Sequence, residues 1–391
     1  MNLYFATEAR FIKRSNGNIY SQSESFSDSL WVRYLSVYDQ IYVIARVSVD
    51  DKIGVNEKFR ISDERVHFIE IPYYVGPVQY LKVAYKIRKV LDKCCLPGSA
   101  YICRVPGQIG SLVSSCLKRK NISYGAEVVG DPWDVFAPGA FNHPMRCVLR
   151  YIGRRQLKRV VRNASAVLYV TKNSLQKRYR ANRNSFTVVA SNVRIENDSI
   201  ALQTKKIDAG KCCELISVGS LEQMYKSPDI VLKAVSILRE KNINCRLTWL
   251  GGGRYQPSME ELAKDMKISE YVDFRGDVSS AEVRDTLHRS DIFILASKTE
   301  GLPRAVIEAM ACGLPCIGTK VGGIPELLDK DVLVEVNDAE GLADKVIQML
   351  QDASFANEQA NRNLEEARKY KDSVLSKRRE AFYKELIRIS E

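Results

Sequence analysis

The sequence predicts an α/β protein with two doubly wound parallel sheets, that is, two Rossmann-like domains. Short apolar runs alternate with stretches of helical periodicity along both halves of the chain, which is typical of parallel strands joined by helices. The chain has 391 residues, which is too long for one ordinary core and favours two domains. No uninterrupted apolar run reaches the roughly 18 residues that a membrane-spanning helix needs.

The predicted strands follow each other regularly along the chain. In the first half they are expected at 2–7, 41–47, 66–71, 100–104, 123–129, 166–171 and 186–190. In the second half they are expected near 214–218, 245–250, 271–275, 291–296 and 315–318. A polar stretch after Ser191 separates the two series. We therefore assign 1–195 and 196–365 to two domains and 366–391 to a C-terminal helix, because a charged amphipathic pattern runs from Asn361 to Ile389.

The run from Thr299 to Pro315 is the most informative part of the sequence for function. Glu300 falls in the loop after a predicted strand, and Glu308 lies eight positions later on the following helix. Pro303 suits the first turn of that helix. Such a loop brings a carboxylate and unpaired N–H groups to the carboxyl edge of a parallel sheet, where ligands bind. Carboxylates accept hydrogen bonds from sugar hydroxyls, although the same pair could simply complement the helix dipole.

Residues 297–327 resemble the signature of family 4 glycosyltransferases, in which two glutamates flank a seven-residue spacer. The resemblance implies the GT-B architecture, with two Rossmann-like domains that face a cleft and a last helix that crosses back to the N-terminal domain. It also implies that Glu300 contacts the transferred sugar and Glu308 the ribose of a nucleotide-sugar donor. The backbone N–H groups of Gly301 and Leu302 would touch sugar or phosphate.

A second motif of the same family is present only in part. The strand that ends at Gly219 is followed by Lys226, which matches a family lysine that faces the donor diphosphate. Ser220 occupies the place of a family arginine and brings no charge. Neutralisation of the diphosphate must then rest on Lys226, on backbone amides or on another arginine, and the candidate arginines are Arg254, Arg275 and Arg304. We predict Gly219, Ser220, Lys226 and Arg275 as further donor-binding residues.

The N-terminal domain departs most from the family pattern. Gly17 is the weak counterpart of a glycine-rich turn that approaches donor phosphate, and we include it among the donor-binding residues. A family His-Asp pair corresponds to Gly130 and Asp131, so Asp131 is predicted as catalytic together with Glu300 and Lys226. Glu127 or Asp131 could approach the acceptor hydroxyl or the donor sugar, or they could cap the next structural element.

Positive charge is concentrated in the first half of the chain, where residues 1–190 carry net +16 against −4 for residues 191–391. Its densest part is a helical pattern at 145–162, for which we predict one packed face that contains Val148, Leu149, Ile152 and Val160. The basic remainder of this helix could be a solvated surface or a contact with anionic lipid headgroups. No recognised nucleic-acid motif accompanies the charge.

The function expected from the resemblance is that of a retaining, metal-independent glycosyltransferase without a cofactor. It would move a sugar from a UDP- or GDP-linked donor to a glycan or a polyprenyl-diphosphate-linked acceptor in surface-polysaccharide synthesis. A sugar-nucleotide-binding protein without activity and a nucleotide-sugar epimerase remain alternatives. The N-terminal segment reads as a strand rather than a signal peptide, and the ten cysteines form no C-x-x-C pair. We therefore expect a cytoplasmic location, with peripheral contact to the membrane.

Overall fold

The computed structural model describes residues 1–136, 145–196, 199–208 and 210–391, and the chain divides into two compact units. The first unit comprises Met1–Gly130, Ile152–Ala190 and Ser376–Glu391. The second comprises Asp131–Tyr151 and Ser191–Leu375. Residues 131–151, which the sequence analysis assigned to the N-terminal domain, thus group with the second unit. The last residues of the chain group with the first.

The first half of the chain builds one sheet in the order β4-β3-β1-β5-β6-β7-β8, in which all these neighbours are parallel and β2 pairs with β1 in antiparallel fashion. The strands are β1 (Leu3–Lys13), β2 (Ile19–Ser21), β3 (Ile41–Val49), β4 (Val66–Ile71), β5 (Ala100–Val105), β6 (Gly125–Val128), β7 (Ala166–Tyr169) and β8 (Phe186–Val189). The helices are α1 (Asp28–Leu35), α2 (Gly76–Cys94), α3 (Gln108–Arg119), α4 (Pro132–Val135), α5 (Arg146–Asn163) and α6 (Ser174–Arg178).

The second half builds an all-parallel sheet in the order β11-β10-β9-β12-β13-β14. The strands are β9 (Cys213–Val218), β10 (Cys245–Leu250), β11 (Val272–Phe274), β12 (Ile292–Leu295), β13 (Cys316–Thr319) and β14 (Leu333–Val334). The helices are α7 (Pro228–Glu240), α8 (Gln256–Asp265), α9 (Ser280–Arg289), α10 (Arg304–Ala311), α11 (Ile324–Leu327), α12 (Ala339–Gln351), α13 (Ala353–Arg368) and α14 (Asp372–Arg388).

The core of each unit follows from the apolar runs of its central strands. Every residue of β7 and of β12 is buried, as expected for parallel strands covered on both faces. Helix α7 buries the apolar stripe that its periodicity predicts, since Ile230, Val231, Ala234, Val235 and Leu238 are all buried. The predicted doubly wound α/β class is therefore confirmed.

Each sheet has one topological switch point, where the strand order reverses. In the first sheet the reversal lies between β1 and β5, and in the second it lies between β9 and β12. Ligands of open α/β sheets bind outside the carboxyl ends of the strands at such points. The two switch points are therefore the places where this fold is expected to bind ligands.

Some elements differ from the predicted ones. Strand β1 extends beyond the predicted 2–7, because it continues past an irregularity between Ala6 and Arg10 into a hairpin with β2. The single helical pattern at 361–389 is split into α13 and α14 around residues 369–371. After this break, the N–H of Asp372 donates to the carbonyl of Ile195 at 2.9 Å. The short strands β2 and β14 were not predicted.

The packed face predicted for α5 is partly wrong. Val148 and Ile152 are exposed, whereas the helix buries Leu157, Val160 and Val161. Only the C-terminal half of α5 thus buries an apolar face. Among the described residues, no helix is long and apolar enough to cross a membrane.

Candidate functional site

An ion pair occupies the switch point of the second sheet. Lys226 follows β9 in a short 3-10 turn, and Glu300 follows β12, so the two loops meet between the strands where the order reverses. Nζ of Lys226 donates to Oε1 of Glu300 at 2.5 Å, and the two side chains are only 10% and 9% exposed. The hydroxyl of Ser297 donates to the same oxygen at 2.7 Å. The structure therefore brings together two of the three residues predicted as catalytic.

The electrostatics of this pair favour its charged form. Burial opposes the charge on Lys226, but the Glu300 carboxylate and Tyr225 together outweigh it and leave the lysine pKa above its ordinary value of 10.5. A lysine ammonium has three N–H donors and no acceptor. Since Glu300 takes one of the three, the remaining donors of Lys226 can serve a ligand.

Glycines let the site loops approach each other closely. A Cβ on Gly219 would lie 3.0 Å from Cγ of Lys226, whose aliphatic stem crosses this backbone. A Cβ on Gly322 would lie 1.9 Å from the carbonyl oxygen of Glu300, and Gly322 has a φ of +54°. Gly323 donates its N–H to the carbonyl of Gly301 at 2.7 Å. The loop after β13 therefore supports the loop that carries Glu300, and only glycine fits at Gly322.

Helix α10 begins immediately behind Glu300. The helix starts at Arg304, with Pro303 as the N-cap residue. The proline was predicted within the first turn, so it lies just before the helix rather than inside it. Gly301 and Leu302 lie in the loop just before it, both half-buried. Glu308 is one turn into α10 and half-buried, and its charge helps burial to raise the pKa of the nearby Cys312 thiol to about 12. Glu300 and Glu308 thus belong to one loop and helix, as the sequence predicts.

The candidate arginines differ in what they contact. Arg275 donates to Asp273 at 2.8 Å, and Arg254 lies over the ring of Tyr255 and donates to the carbonyl of Glu222. Arg304 is exposed, and its side chain makes no ion pair or hydrogen bond with any residue that the structure describes. The positive charge of Arg304 acts to lower the pKa of Lys226, so the two cations lie within electrostatic reach of each other. Arg304 is therefore better placed than Arg275 to supply the missing charge.

Ser220 serves its own loop. Its hydroxyl donates to the carbonyl of Gly252 and accepts from the N–H of Glu222, both at 3.2 Å. These bonds shape the loop between Gly219 and Lys226. Ser220 remains exposed, so its predicted role in donor binding stays a prediction.

Sequence reasoning missed the three glycines that follow β10. A Cβ on Gly251 would lie 2.5 Å from the carbonyl oxygen of Gly219, and one on Gly253 would lie 2.2 Å from the N atom of Glu222. The indole N–H of Trp249 donates to the same Gly219 carbonyl at 2.9 Å. Three successive glycines after a strand were the available signal for this close approach.

Sequence reasoning also missed a carboxylate at the switch point of the first sheet. Glu8 lies at the irregularity in β1, and its Oε1 pairs with Nη2 of Arg46 at 2.9 Å. Its Oε2 accepts from the N–H of Ile109, in the first turn of α3, at 3.0 Å. The hydroxyl of Tyr74 reaches Oε1 at 3.4 Å. No local signal could have predicted these contacts, because the partners come from distant parts of the chain.

The other residues predicted near the first domain have structural contacts. Gly17 lies in the hairpin between β1 and β2 with a φ of +87°. Asp131 caps α4 by accepting from the N–H of Trp133 at 2.8 Å. Glu127 is buried and accepts from the Tyr34 hydroxyl at 2.8 Å and from Arg104 at 3.3 Å. Capping accounts for Asp131, and the ligand roles of Gly17 and Asp131 stay predictions.

Comparisons with known proteins agree with this geometry. Residues 203–370 match the family model described as glycosyl transferases group 1. CapJ of Staphylococcus aureus is 29% identical over 331 residues, which cover 84% of this chain and 81% of CapJ. The putative colanic acid biosynthesis glycosyltransferase WcaL of Escherichia coli K12 is 34% identical over 142 residues, 34% of this chain and 35% of WcaL. HepE of Anabaena, solved with UDP and glucose, has a TM-score of 0.64 at 15% identity over 97% of this chain and 98% of HepE.

The fold and the site thus define a two-domain α/β protein of the GT-B class. The part of the chain that matches the group 1 glycosyltransferase family, residues 203–370, includes Lys226, Glu300 and Glu308. The predicted family resemblance and the predicted GT-B architecture are confirmed.

Proposed function

We propose that the protein is a retaining glycosyltransferase that moves a sugar from a UDP- or GDP-linked donor to a glycan or lipid-linked acceptor in surface-polysaccharide synthesis. The observation that carries the proposal is the buried Lys226–Glu300 pair at the switch point of the second sheet. The UDP and glucose bound by HepE and the colanic acid pathway named for WcaL support the choice of donor and pathway.

In this proposal the donor lies across the loops after β9 and β12. The diphosphate accepts hydrogen bonds from the free donors of Lys226 and from N–H groups at the start of α10. Glu300 accepts from hydroxyls of the transferred sugar, and Glu308 from the ribose. The bond between the anomeric carbon and the diphosphate oxygen breaks as the acceptor oxygen bonds to the same face of the sugar. The acceptor proton passes to the departing diphosphate.

Arg304 is the second cation of the proposed diphosphate site. Lys226 is already paired with Glu300, so it compensates only part of the charge of a diphosphate. Arg304 stands at the first position of α10, exposed and without a partner among the described residues. A guanidinium binds phosphate oxygens in bidentate fashion. Arg304, in the loop and helix after β12, would thus supply the positive charge that Ser220, after β9, lacks.

Isothermal calorimetry with UDP and with uridine tests this assignment. Arg304→Gln should weaken UDP binding about tenfold or more, because a hydrogen bond to a charged group contributes about 1.5–3 kcal/mol, while uridine binding stays unchanged. Arg275→Gln is the matched control and should retain both affinities. Glu308→Ala should weaken the binding of both UDP and uridine, since it removes the proposed ribose contact. Equal UDP affinity in the Arg304 variant and wild type would refute the arginine assignment, and failure of wild type to bind any nucleoside diphosphate would refute the proposed donor.

Turnover separates the transferase from the alternatives. Release of UDP or GDP from a nucleotide-sugar in the presence of a lipid-linked glycan acceptor is expected. Donor binding without release would favour a sugar-nucleotide-binding protein, and a changed sugar on an intact nucleotide would indicate an epimerase. Activity should persist in EDTA, because Lys226 and Arg304 can neutralise the charge of the leaving group without a metal ion. The sequence contains one D-x-D motif, Asp329-Lys330-Asp331, of the kind that could hold a metal ion. The carboxylate of Asp329 accepts from the N–H of Asp331 and caps the turn at Lys330–Val332.

Peripheral membrane contact through α5 is part of the same proposal, because a lipid-linked acceptor is held at a membrane. The basic residues in question are Arg154, Arg155, Lys158 and Arg159. Replacing all four by glutamine should reduce sedimentation with anionic vesicles and leave UDP affinity intact. Wild-type binding should also weaken as salt rises. Wild-type protein that ignores anionic vesicles at low salt would end this part of the proposal.

A further inference from the structure

Three free thiols meet where the C-terminal ends of α2 and α3 pack together in the first unit. Helix α2 ends at Cys94, Cys95 is its C-cap residue, and Cys116 lies in the last turn of α3. The Sγ atoms of Cys94 and Cys116 both contact the carbonyl oxygen of Leu91, at 3.6 and 3.8 Å. The thiol of Cys95 lies within hydrogen-bonding distance of the thiols of both Cys94 and Cys116. The packing of two helices thus gathers the three thiols into one cluster.

Hydrogen bonds to the backbone hold this cluster in place. The hydroxyl of Tyr101 lies 3.0 Å from the carbonyl oxygen of Cys94, and Nζ of Lys120 donates to the carbonyl of Cys95 at 2.8 Å. The side chains differ in their access to solvent, since Cys95 and Cys116 are 0% and 2% exposed whereas Cys94 is half-buried. A small solute can therefore reach Cys94 first.

The surroundings also favour the thiolate form of Cys94. The hydrogen bond from the Cys95 thiol lowers the pKa of Cys94, and the charge of Lys120 assists it against the opposing effects of burial and of Asp92. The same hydrogen bond, together with burial, raises the pKa of Cys95. The thiolate is the nucleophilic form of cysteine. Access and charge thus single out the same residue, Cys94, as the first to react.

Adjacent residues make a poor final disulfide. The Cα atoms of Cys94 and Cys95 are joined by a trans peptide, which sets them about 3.8 Å apart. An unstrained disulfide usually spans about 4.4–6.8 Å between Cα atoms. A bond between Cys94 and Cys95 would therefore be strained and open to exchange with a third thiol. Cys116 can be that thiol, because it comes from another helix and already lies beside Cys95.

We propose that this cluster is a redox site, which hydrogen peroxide oxidises to a Cys95–Cys116 disulfide that joins α2 to α3. The sulfur of Cys94 attacks a peroxide oxygen, so an S–O bond forms, the O–O bond breaks and hydroxide leaves. The sulfur of Cys95 then attacks that of Cys94, and its proton leaves with the hydroxyl group as water. Cys116 attacks Cys95 in turn, Cys94 departs as a thiolate, and the proton of Cys116 combines with the hydroxide. One peroxide becomes two waters as two thiols are oxidised, and this chemistry does not rest on the transferase activity.

The test is peptide mass spectrometry of the folded, full-length protein after one equivalent of hydrogen peroxide. Trypsin separates the partners, because Cys94 and Cys95 fall in peptide 94–104 and Cys116 falls in peptide 105–118. Wild type should yield these two peptides joined by a disulfide that dithiothreitol removes. Fragment ions should show Cys103, the other cysteine of the first peptide, as a free thiol.

Three variants assign the roles within the cluster. Cys94→Ser should slow the formation of the linked peptides about tenfold or more, because it removes the reactive thiolate. Cys116→Ser should give no linked peptides. Cys147→Ser is the matched control, since it removes an exposed thiol of α5, and it should behave as wild type.

The wild-type protein alone can overturn the proposal, whatever the folding of the variants. Peptides that stay unlinked in the folded protein, or that link only after unfolding in urea, would show that the fold does not bring the thiols together for reaction. A sulfinic acid at Cys94 without any linked peptide would show that no second thiol reaches it. Equal rates for Cys94→Ser and wild type would refute Cys94 as the residue that peroxide attacks.

Discussion

The two sheets have the same kind of switch point but fill it differently. In the second unit, the edge between β9 and β12 carries the Lys226–Glu300 pair, with exposed Arg304 at the start of the adjacent helix. In the first unit, the edge between β1 and β5 carries Glu8, whose carboxylate accepts from the first turn of α3 and pairs with Arg46. One edge offers free cationic donors to a ligand. The other already holds an anion of its own.

This difference predicts which ligand each edge can take. A helix N-terminus binds anions through its free N–H groups, and in the first unit Glu8 already uses one of these groups on α3. A second anion there would meet the charge of Glu8. We therefore expect the diphosphate in the second unit, and a neutral, hydroxyl-rich acceptor at the edge of the first, with Glu8 accepting from its hydroxyls.

The largest expected effect comes from breaking the charged pair of the second unit. Lys226→Met should lower the free energy of unfolding by about 3–5 kcal/mol, because it leaves the buried Glu300 carboxylate without a counter-charge. UDP binding should be lost as well. The double variant Lys226→Met/Glu300→Gln should recover most of the stability without recovering UDP binding. Urea denaturation of the three proteins would show whether the pair is coupled in this way, and equal stability of single variant and wild type would contradict it.

A slightly smaller effect is expected from the loop support in the same unit. Gly322→Ala should cost about 2–4 kcal/mol, as the sum of the left-handed backbone conformation and the clash with the Glu300 carbonyl. Gly17→Ala is the control, since its φ is also positive but a Cβ there meets nothing within 4 Å. It should cost only about 1–2 kcal/mol. If both variants lost the same stability by thermal denaturation, the close approach of the two loops would not matter.

The edge of the first unit should respond to Glu8→Gln. The side chain of Arg46 is 6% exposed and would lose its counter-charge, although Glu8 itself is 34% exposed and partly screened by solvent. We expect a loss of about 2–3 kcal/mol with UDP affinity unchanged. Glu70→Gln breaks the exposed pair with Lys13 and should cost less than about 1 kcal/mol. A Glu8 variant that lost UDP binding would contradict the assignment of the diphosphate to the second unit.

The smallest expected effect concerns Cys312, behind Glu308. Burial, assisted by the Glu308 charge, raises the pKa of this thiol to about 12, above the unfolded value of about 8.5. The thiol therefore contributes stability that is fully present below pH about 8.5 and is lost as pH rises toward 12. Wild type should lose free energy of unfolding as pH rises from about 8.5 to about 10. In urea denaturation, Cys312→Ala should lose about 1–2 kcal/mol less of this free energy over the same pH range. Cys147→Ala, which changes an exposed thiol, should follow the wild-type curve.

The strand positions were predictable because apolar runs in a parallel sheet are local signals. The predicted strands 66–71 and 245–250 agree with β4 and β10 to the residue. Strand β14 has only two residues and gives no such signal. The apolar face of α5 was misassigned because helical periodicity does not say which half of a helix finds a packing partner.

The sequence by itself determined the class of fold, and it placed Lys226, Glu300 and Glu308 in motifs next to strand ends, for which the family resemblance predicts donor binding. Only the tertiary structure decided which groups are engaged and which are free. The contacts of Glu8 are the clearest case, because its partners Arg46, Tyr74 and Ile109 are all far from it in the chain. The order of strands in a sheet sets such contacts, and no local spacing records that order.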